Sequence, residues 1–180
     1  MLPRTSSLLA AILAAHANLA AATAVLDCIG DAASARNGSR WRGHERLLPL
    51  DTARKVVAIQ FRSTSLKGWR AASAKLVVHL DHGRCDGHLT ATYMPKFDEK
   101  ARAQPAWPPH PAAPTVTAAC SEVGAGWWQI ELPASIAQRL VDEPNGAILL
   151  SSKAKREGPV LHSRETLSFT PRLLVEGAAP

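Results

Sequence analysis

The 180-residue sequence predicts an all-β fold, a jelly-roll-like sandwich with one short helix. Three observations carry this prediction. Short apolar runs alternate at period two, turn signals recur roughly every ten residues, and a single stretch shows helical spacing. A parallel α/β sheet would need a helix between successive strands. A hydrophobic content of 46% excludes a wholly disordered chain, and the 13 Pro and 11 Gly lack the Gly-X-Y period of collagen.

The first residues read as a leader. Met1–Ser7 is short and polar and carries Arg4, Leu8–Ala22 is Ala/Leu-rich, and Ala22-Thr23-Ala24 supplies the small-x-small pattern of a signal-peptidase site. Residues 1–24 are therefore expected to be a cleaved signal peptide and 25–180 a single domain, secreted to the extracellular or periplasmic space. The apolar run is too short and Ala-rich for a membrane-spanning anchor.

The elements follow in order. Residues 31–48, rich in Ala, Gly, Ser and Arg, read as an edge strand and loops. Residues 55–61 (KVVAIQF) form the first clear strand, with Val57, Ile59 and Phe61 on one face. A loop with Gly68-Trp69 leads to a strand over 73–80, in which Ala74, Leu76, Val78 and Leu80 face one way and Lys75, Val77 and His79 the other. The Gly- and Asp-rich stretch 81–87 is a turn, and 88–94 is expected to return as the second arm of a hairpin. Five Pro between 105 and 114 exclude helix and central strand, leaving a surface loop of polyproline character around Trp107. A short strand is expected at 115–120. After the turn Gly124-Ala125-Gly126, residues 127–132 alternate again, with Trp128, Ile130 and Leu132 opposite Trp127, Gln129 and Glu131. Pro133 opens the helix, 135–141, where Ile136 and Leu140 stack at i, i+4. Further strands are expected at 147–151, 161–165 and 172–176, with a basic loop over 152–159.

The net charge is +6, or +5 once Arg4 is removed with the leader. That excess attracts polyanions, and export places nucleic acid last among them. Three cysteines, Cys28, Cys85 and Cys120, allow one disulfide in an oxidising compartment. All three pairings are open, and turn-like surroundings favour Cys85–Cys120. Asn37-Gly38-Ser39 fits a glycosylation acceptor.

The segments WQIELP (128–133), NGAILL (145–150), HSRE (162–165) and PRLLV (171–175), with a helix between the first two, occur in a characteristic order. With the strand ending at Phe61, the Trp69 loop and SAKLVVH (73–79), this order resembles the DNRLRE-type domains, related to the disaggregatase repeat and to carbohydrate-binding module family 96. The resemblance covers roughly residues 45–176. It implies an extracellular jelly-roll-like sandwich that binds polysaccharide, including anionic alginate. Arg62 replaces the family's usual Asp after the strand-ending Phe, and the Pro-rich loop and cysteines are peculiar to this chain.

Sugar binding calls for aromatic planes and hydrogen-bonding groups, and acidic sugars add a need for Arg or Lys. Trp107 and Trp127 are the aromatic candidates, with Trp128 assigned to the core and Trp41 and Trp69 to structural packing. Arg62, Lys67, Arg70, Lys153, Lys155 and Arg156 are the basic candidates. His79, His82, Cys85 and His88 recur every three residues beside Asp81 and Asp86, but in no standard zinc or EF-hand spacing, so a polar loop is expected there and no metal or cofactor. Arg164 and Glu165, as neighbours on a strand, should point apart and each find a cross-strand partner. The reading is a non-catalytic carbohydrate-binding protein for an acidic polysaccharide. The alternatives are an adhesive module that binds protein, and a polysaccharide lyase or hydrolase using Glu165 with Glu131 or Asp142.

Overall fold

The computed structural model describes residues 22–35, 41–50, 55–85, 89–95, 97–98, 115–152 and 158–180. Twelve antiparallel strands and one helix make up these residues. They are β1 (Ala22–Ala35), β2 (Trp41–Arg42), β3 (Leu47–Pro49), β4 (Lys55–Phe61), β5 (Arg70–His82), β6 (Leu89–Met94), β7 (Thr115–Thr117), β8 (Cys120–Gly124), β9 (Trp127–Pro133), α1 (Ala134–Asp142), β10 (Ala147–Ser152), β11 (Val160–His162) and β12 (Arg172–Ala178). The fold is an all-β sandwich. The front sheet runs β8-β9-β5-β12-β1, and the back sheet runs β1-β4-β10-β6-β7. β11 extends the end of β5 and carries β3 on its other edge.

The main core lies between the sheets. Alternation places Ala74, Leu76, Val78 and Leu80 of β5 on the inside, where they join Val57, Ile59 and Phe61 of β4 and Ile148 and Leu150 of β10. Each buried Leu or Ile side chain contributes about 1.5–3 kcal/mol. The helix is set directly after Pro133, whose φ of −69° suits a helix start. It buries Ile136, Ala137, Leu140 and Val141. Gln138 ties it to the start of β5: its Oε1 accepts the Ala71 amide (2.9 Å) and its Nε2 donates to the Trp69 carbonyl (3.2 Å).

A second apolar cluster covers the outer side of the back sheet. Ala32, Val56, Ala58, Met94, Phe97, Ala147 and Leu149 pack there under Trp41. This explains why β10 reads as a continuous apolar run: all six of its residues are buried, so no alternation is required. Among the described residues, the outer side of the front sheet has no such cover. Its outward residues are half-buried or exposed, in strict alternation with the core.

The strands expected at 55–61, 73–80, 88–94, 127–132, 147–151 and 172–176, and the helix, are present with small changes of boundary. One expectation is extended and two are corrected. The stretch from Asp31 is the second half of a longer strand: β1 pairs with β12 through residues 22–27 and, after a bulge between Cys28 and Gly30, with β4, where it ends the back sheet with only the two-residue β2 beyond it. Its Ala and Ser side chains conceal the apolar alternation although Asp31, Ala32, Ala33 and Ser34 are all buried. Strands β5 and β6 are not a hairpin. β5 pairs with β9, β12 and β11, whereas β6 pairs with β10 and β7, so the 81–88 connection crosses from one sheet to the other. The strand expected at 161–165 ends at His162, and a turn follows.

The glycosylation acceptor at Asn37, the Pro-rich loop with Trp107, His88, and Lys153, Lys155 and Arg156 lie outside the described residues.

Candidate functional site

Antiparallel register arranges the open front face as rows of side chains. Val25, Leu174, Lys75 and Glu131 form one row across β1, β12, β5 and β9. Asp27, Arg172, Val77, Gln129 and Ser121 form the next. His79 and Trp127 follow, side by side on β5 and β9.

At this last row the face becomes aromatic. The His79 ring stacks on Phe169 with centroids 3.9 Å apart and meets the Trp127 ring edge-on at 5.2 Å. Phe169 belongs to a 3-10 turn, Leu167–Phe169, after β11. The imidazole of His162, on β11, lies 5.0 Å from that of His79 and 4.7 Å from Phe169. Thus β5, β9, β11 and the turn each supply one ring.

The backbone seats these rings. The β8–β9 hairpin closes through Gly124, Ala125 and Gly126, all at positive φ. The Ala125 carbonyl accepts a hydrogen bond from His79 Nε2 (3.1 Å), which assigns the Nε2–H tautomer to the neutral ring. A Cβ on Gly126 would come 2.9 Å from that same nitrogen, so glycine is required both by φ +80° and by the close approach of the ring. Both Nδ1 atoms, of His79 and His162, are buried without a hydrogen-bond partner among the described residues. Burial lowers the pKa of His162 below the ordinary imidazole value; the neighbouring His79 adds to this, and Asp81 opposes it. Asp81 links the cluster to the rim, with Oδ1 3.8 Å from His162 Nε2 and Oδ2 2.7 Å from His82 Nδ1.

Charges on the rest of the face are mostly paired. Lys75 meets Glu176 at 3.1 Å, which raises the lysine pKa, and the Ser73 hydroxyl together with Lys75 lowers that of the glutamate. Arg172 Nε lies 3.9 Å from Asp27, and Gln129 donates to Glu131 at 2.6 Å. Among these groups three carboxylates face two cations.

The residues singled out from sequence are distributed as follows. Trp127 is half-buried on the outer face. Trp128 is also half-buried and packs against the main core, as do Trp69 and, against the second cluster, Trp41. Lys67 lines a separate cleft of about 320 Å³ with Ser63, Thr64, Val141, Asp142 and Pro144. Arg70 begins β5, and His79 stands nine positions along the same strand. At a rise of 3.3 Å per residue the two are about 30 Å apart. Lys67 and Arg70 therefore do not share a site with Trp127. Arg62 follows β4 as an exposed residue. Gly158 and Pro159, which follow the basic loop, pack against Gly83, next to His82. Cys85 is buried and Cys120 half-buried against the main core, and the cysteines stand as thiols. Burial, reinforced by Asp31, pushes the Cys28 thiol well above its ordinary range.

Arg164 and Glu165 do pair, at 3.3 Å, because they sit in a turn and not on a strand. Glu165 also lies 3.8 Å from His44. Arg164 fastens its turn to β1: its amide donates to the buried Asp31 carboxylate (2.7 Å) and its guanidinium to the Ile29 carbonyl (2.8 Å). Among the described residues no group of three or more His, Cys, Asp or Glu side chains is placed to hold a metal ion.

Sequence reasoning did not assemble His79, His162 and Phe169, since their contact joins segments far apart in the chain. The available hint was the glycine-flanked turn immediately before Trp127. Comparison with known protein-family models and with curated proteins gives no match.

Proposed function

We propose that this is a secreted, non-catalytic carbohydrate-binding protein of DNRLRE type, holding a polysaccharide along the open face of its front sheet. One observation carries the reading. Among the described residues the front face is uncovered where the back face is not, and it ends in Trp127 beside His79 and Phe169, next to the hydrogen-bonding row of Gln129, Ser121 and Arg172. Sugar C–H faces stack on such rings while hydroxyls take the polar row. The all-β architecture agrees with what the family resemblance implies. An acidic polysaccharide suits the basic balance of the chain, +6 in full and +5 without the leader and its Arg4.

Affinity electrophoresis on alginate, pectin and neutral glucans tests the proposal. Retardation on at least one polysaccharide is expected, and Trp127→Ala should weaken it about tenfold, the effect of losing roughly 1.4 kcal/mol of contact. Equal mobility on every gel would sink the reading. Loss through Lys67→Ala instead of Trp127→Ala would move the site to the cleft beside α1. A specific observation favours the adhesive alternative: Leu167, next but one to Phe169, is 90% exposed. Saturable binding to a protein partner, abolished by Leu167→Ser without any glycan retardation, would support it.

A further inference from the structure

The aromatic end of the face contains more titratable nitrogen than stacking requires. His79 and His162 lie 5.0 Å apart, both against Phe169, and His162 and His82 share the carboxylate of Asp81. Some of the other charged groups on the surrounding elements are paired, and Arg84, exposed two positions beyond His82, adds a cation beside the patch. On β12 and β1 the paired groups are Arg172 and Asp27, and in the turn after β11 they are Arg164 and Glu165, the latter also facing His44. From β9 the cluster meets Trp127, with Gln129 and then Glu131 further along the same face, and across the hairpin Glu122 pairs in register with Trp128. From β3, Leu47 lies opposite His162, and Arg46 offers its carbonyl to the Ser163 amide. Among the described residues the patch thus brings together one acid, Asp81, and three imidazoles, and each proton the imidazoles take up moves its charge in the positive direction.

We infer that this patch is an acid-operated selector of ligand charge, indifferent or averse to carboxylated polysaccharide near neutral pH and attractive to it in acid. The inference rests on the carbohydrate-binding reading of the same face. Burial and the second ring displace the titration of His162 to the acid side of the ordinary imidazole range. Uronate carboxylates, like other carboxyl groups, stay ionised down to about pH 4. Between that limit and the imidazole range, each proton the patch takes up places positive charge opposite an ionised polyuronate. The geometry also couples the two rings: a proton on one places a charge 5.0 Å from the other and opposes a second proton there.

The test uses the full chain and compares retardation by polygalacturonate with that by a neutral glucan at pH 7.5 and 5.0. One added charge at contact distance changes affinity about fivefold in water. The polyuronate-to-glucan preference of the wild type should rise by at least that factor on acidification. His162→Gln and His79→Gln should flatten the rise. Asp81→Asn, a change at an exposed position that leaves the core untouched, should bring the polyuronate preference forward to pH 7.5. A preference that does not change with pH in the wild type, or that survives in both histidine variants, overturns the inference.

Imidazole NMR shifts recorded without ligand separate this inference from the reading beneath it. If no glycan is bound but replacing either ring raises the titration of the one that remains, the coupled pair of rings stands and the carbohydrate reading fails. Independent titration of the two rings rejects the device, whatever the protein binds.

Discussion

At the residue scale, a few small side chains set the chemistry of the face. Gly126 is the clearest case. Its φ of +80° and the 2.9 Å approach of His79 Nε2 leave no room for a Cβ. Gly126→Ala should therefore lower the unfolding free energy by about 1–2 kcal/mol, the usual cost of a left-handed conformation for a residue with a side chain. It should also displace the His79 ring, giving a changed near-ultraviolet signal from Trp127 alongside a lower denaturant midpoint. The neighbouring Ala125 already bears positive φ, 50°, and its carbonyl holds the same histidine. Strain at the hairpin tip is thus coupled to the orientation of a ring in the candidate site. Asp31 plays the opposite part, a buried carboxylate that anchors the Arg164 turn and has no route to the open face. Its role was not legible in the sequence, because its turn partner lies 133 positions away.

At the element scale, β1 decides how the two sheets are joined. Its first half pairs with β12 in the front sheet and its second half with β4 in the back sheet, with the bulge at Cys28–Gly30 as the corner. Residues 22–24, the end of the expected leader, supply three of the six registered pairs with β12, and Ala24 packs on the main core. A chain beginning at Val25 should therefore be less stable than one beginning at Ala22 by about 2 kcal/mol, a few net backbone hydrogen bonds. Chemical denaturation of the two forms checks this, and amino-terminal sequencing of the protein recovered from its host shows which form is made. Elements with strong periodicity, such as β5 and β9, could be read from the chain because one face of each is core. β1 could not, since alanine satisfies both core and surface and leaves no contrast.

At the scale of the whole molecule, the sandwich is asymmetric, with one outer face sealed by apolar residues under Trp41 and the other left to polar rows and four rings. This asymmetry selects the candidate surface, and it has a consequence for stability. His162 has a lower pKa in the folded protein than in the unfolded chain, so between the two values the unfolded state binds more protons. Its contribution to stability is complete above the ordinary imidazole value and is lost as pH falls below it. Denaturant midpoints should decline from pH 7.5 to pH 5, and His162→Gln should reduce that decline. An unchanged slope in the variant would place the responsible group elsewhere.

The sequence by itself determined the class of fold, the positions of most strands, the one helix, and the division of β5 and β9 into core and outward faces. These are local properties, written in spacings of two and of three to four residues. Only the tertiary structure decided which strands are neighbours, that β5 and β6 lie in different sheets, that Arg164 and Glu165 turn toward each other, and that Lys67 and Arg70 stand about 30 Å of strand away from the aromatic end. It also brought His79, His162 and Phe169 together. The physical reason is that pairing between distant segments is set by the joint burial of many side chains, and no single segment carries a record of its partner.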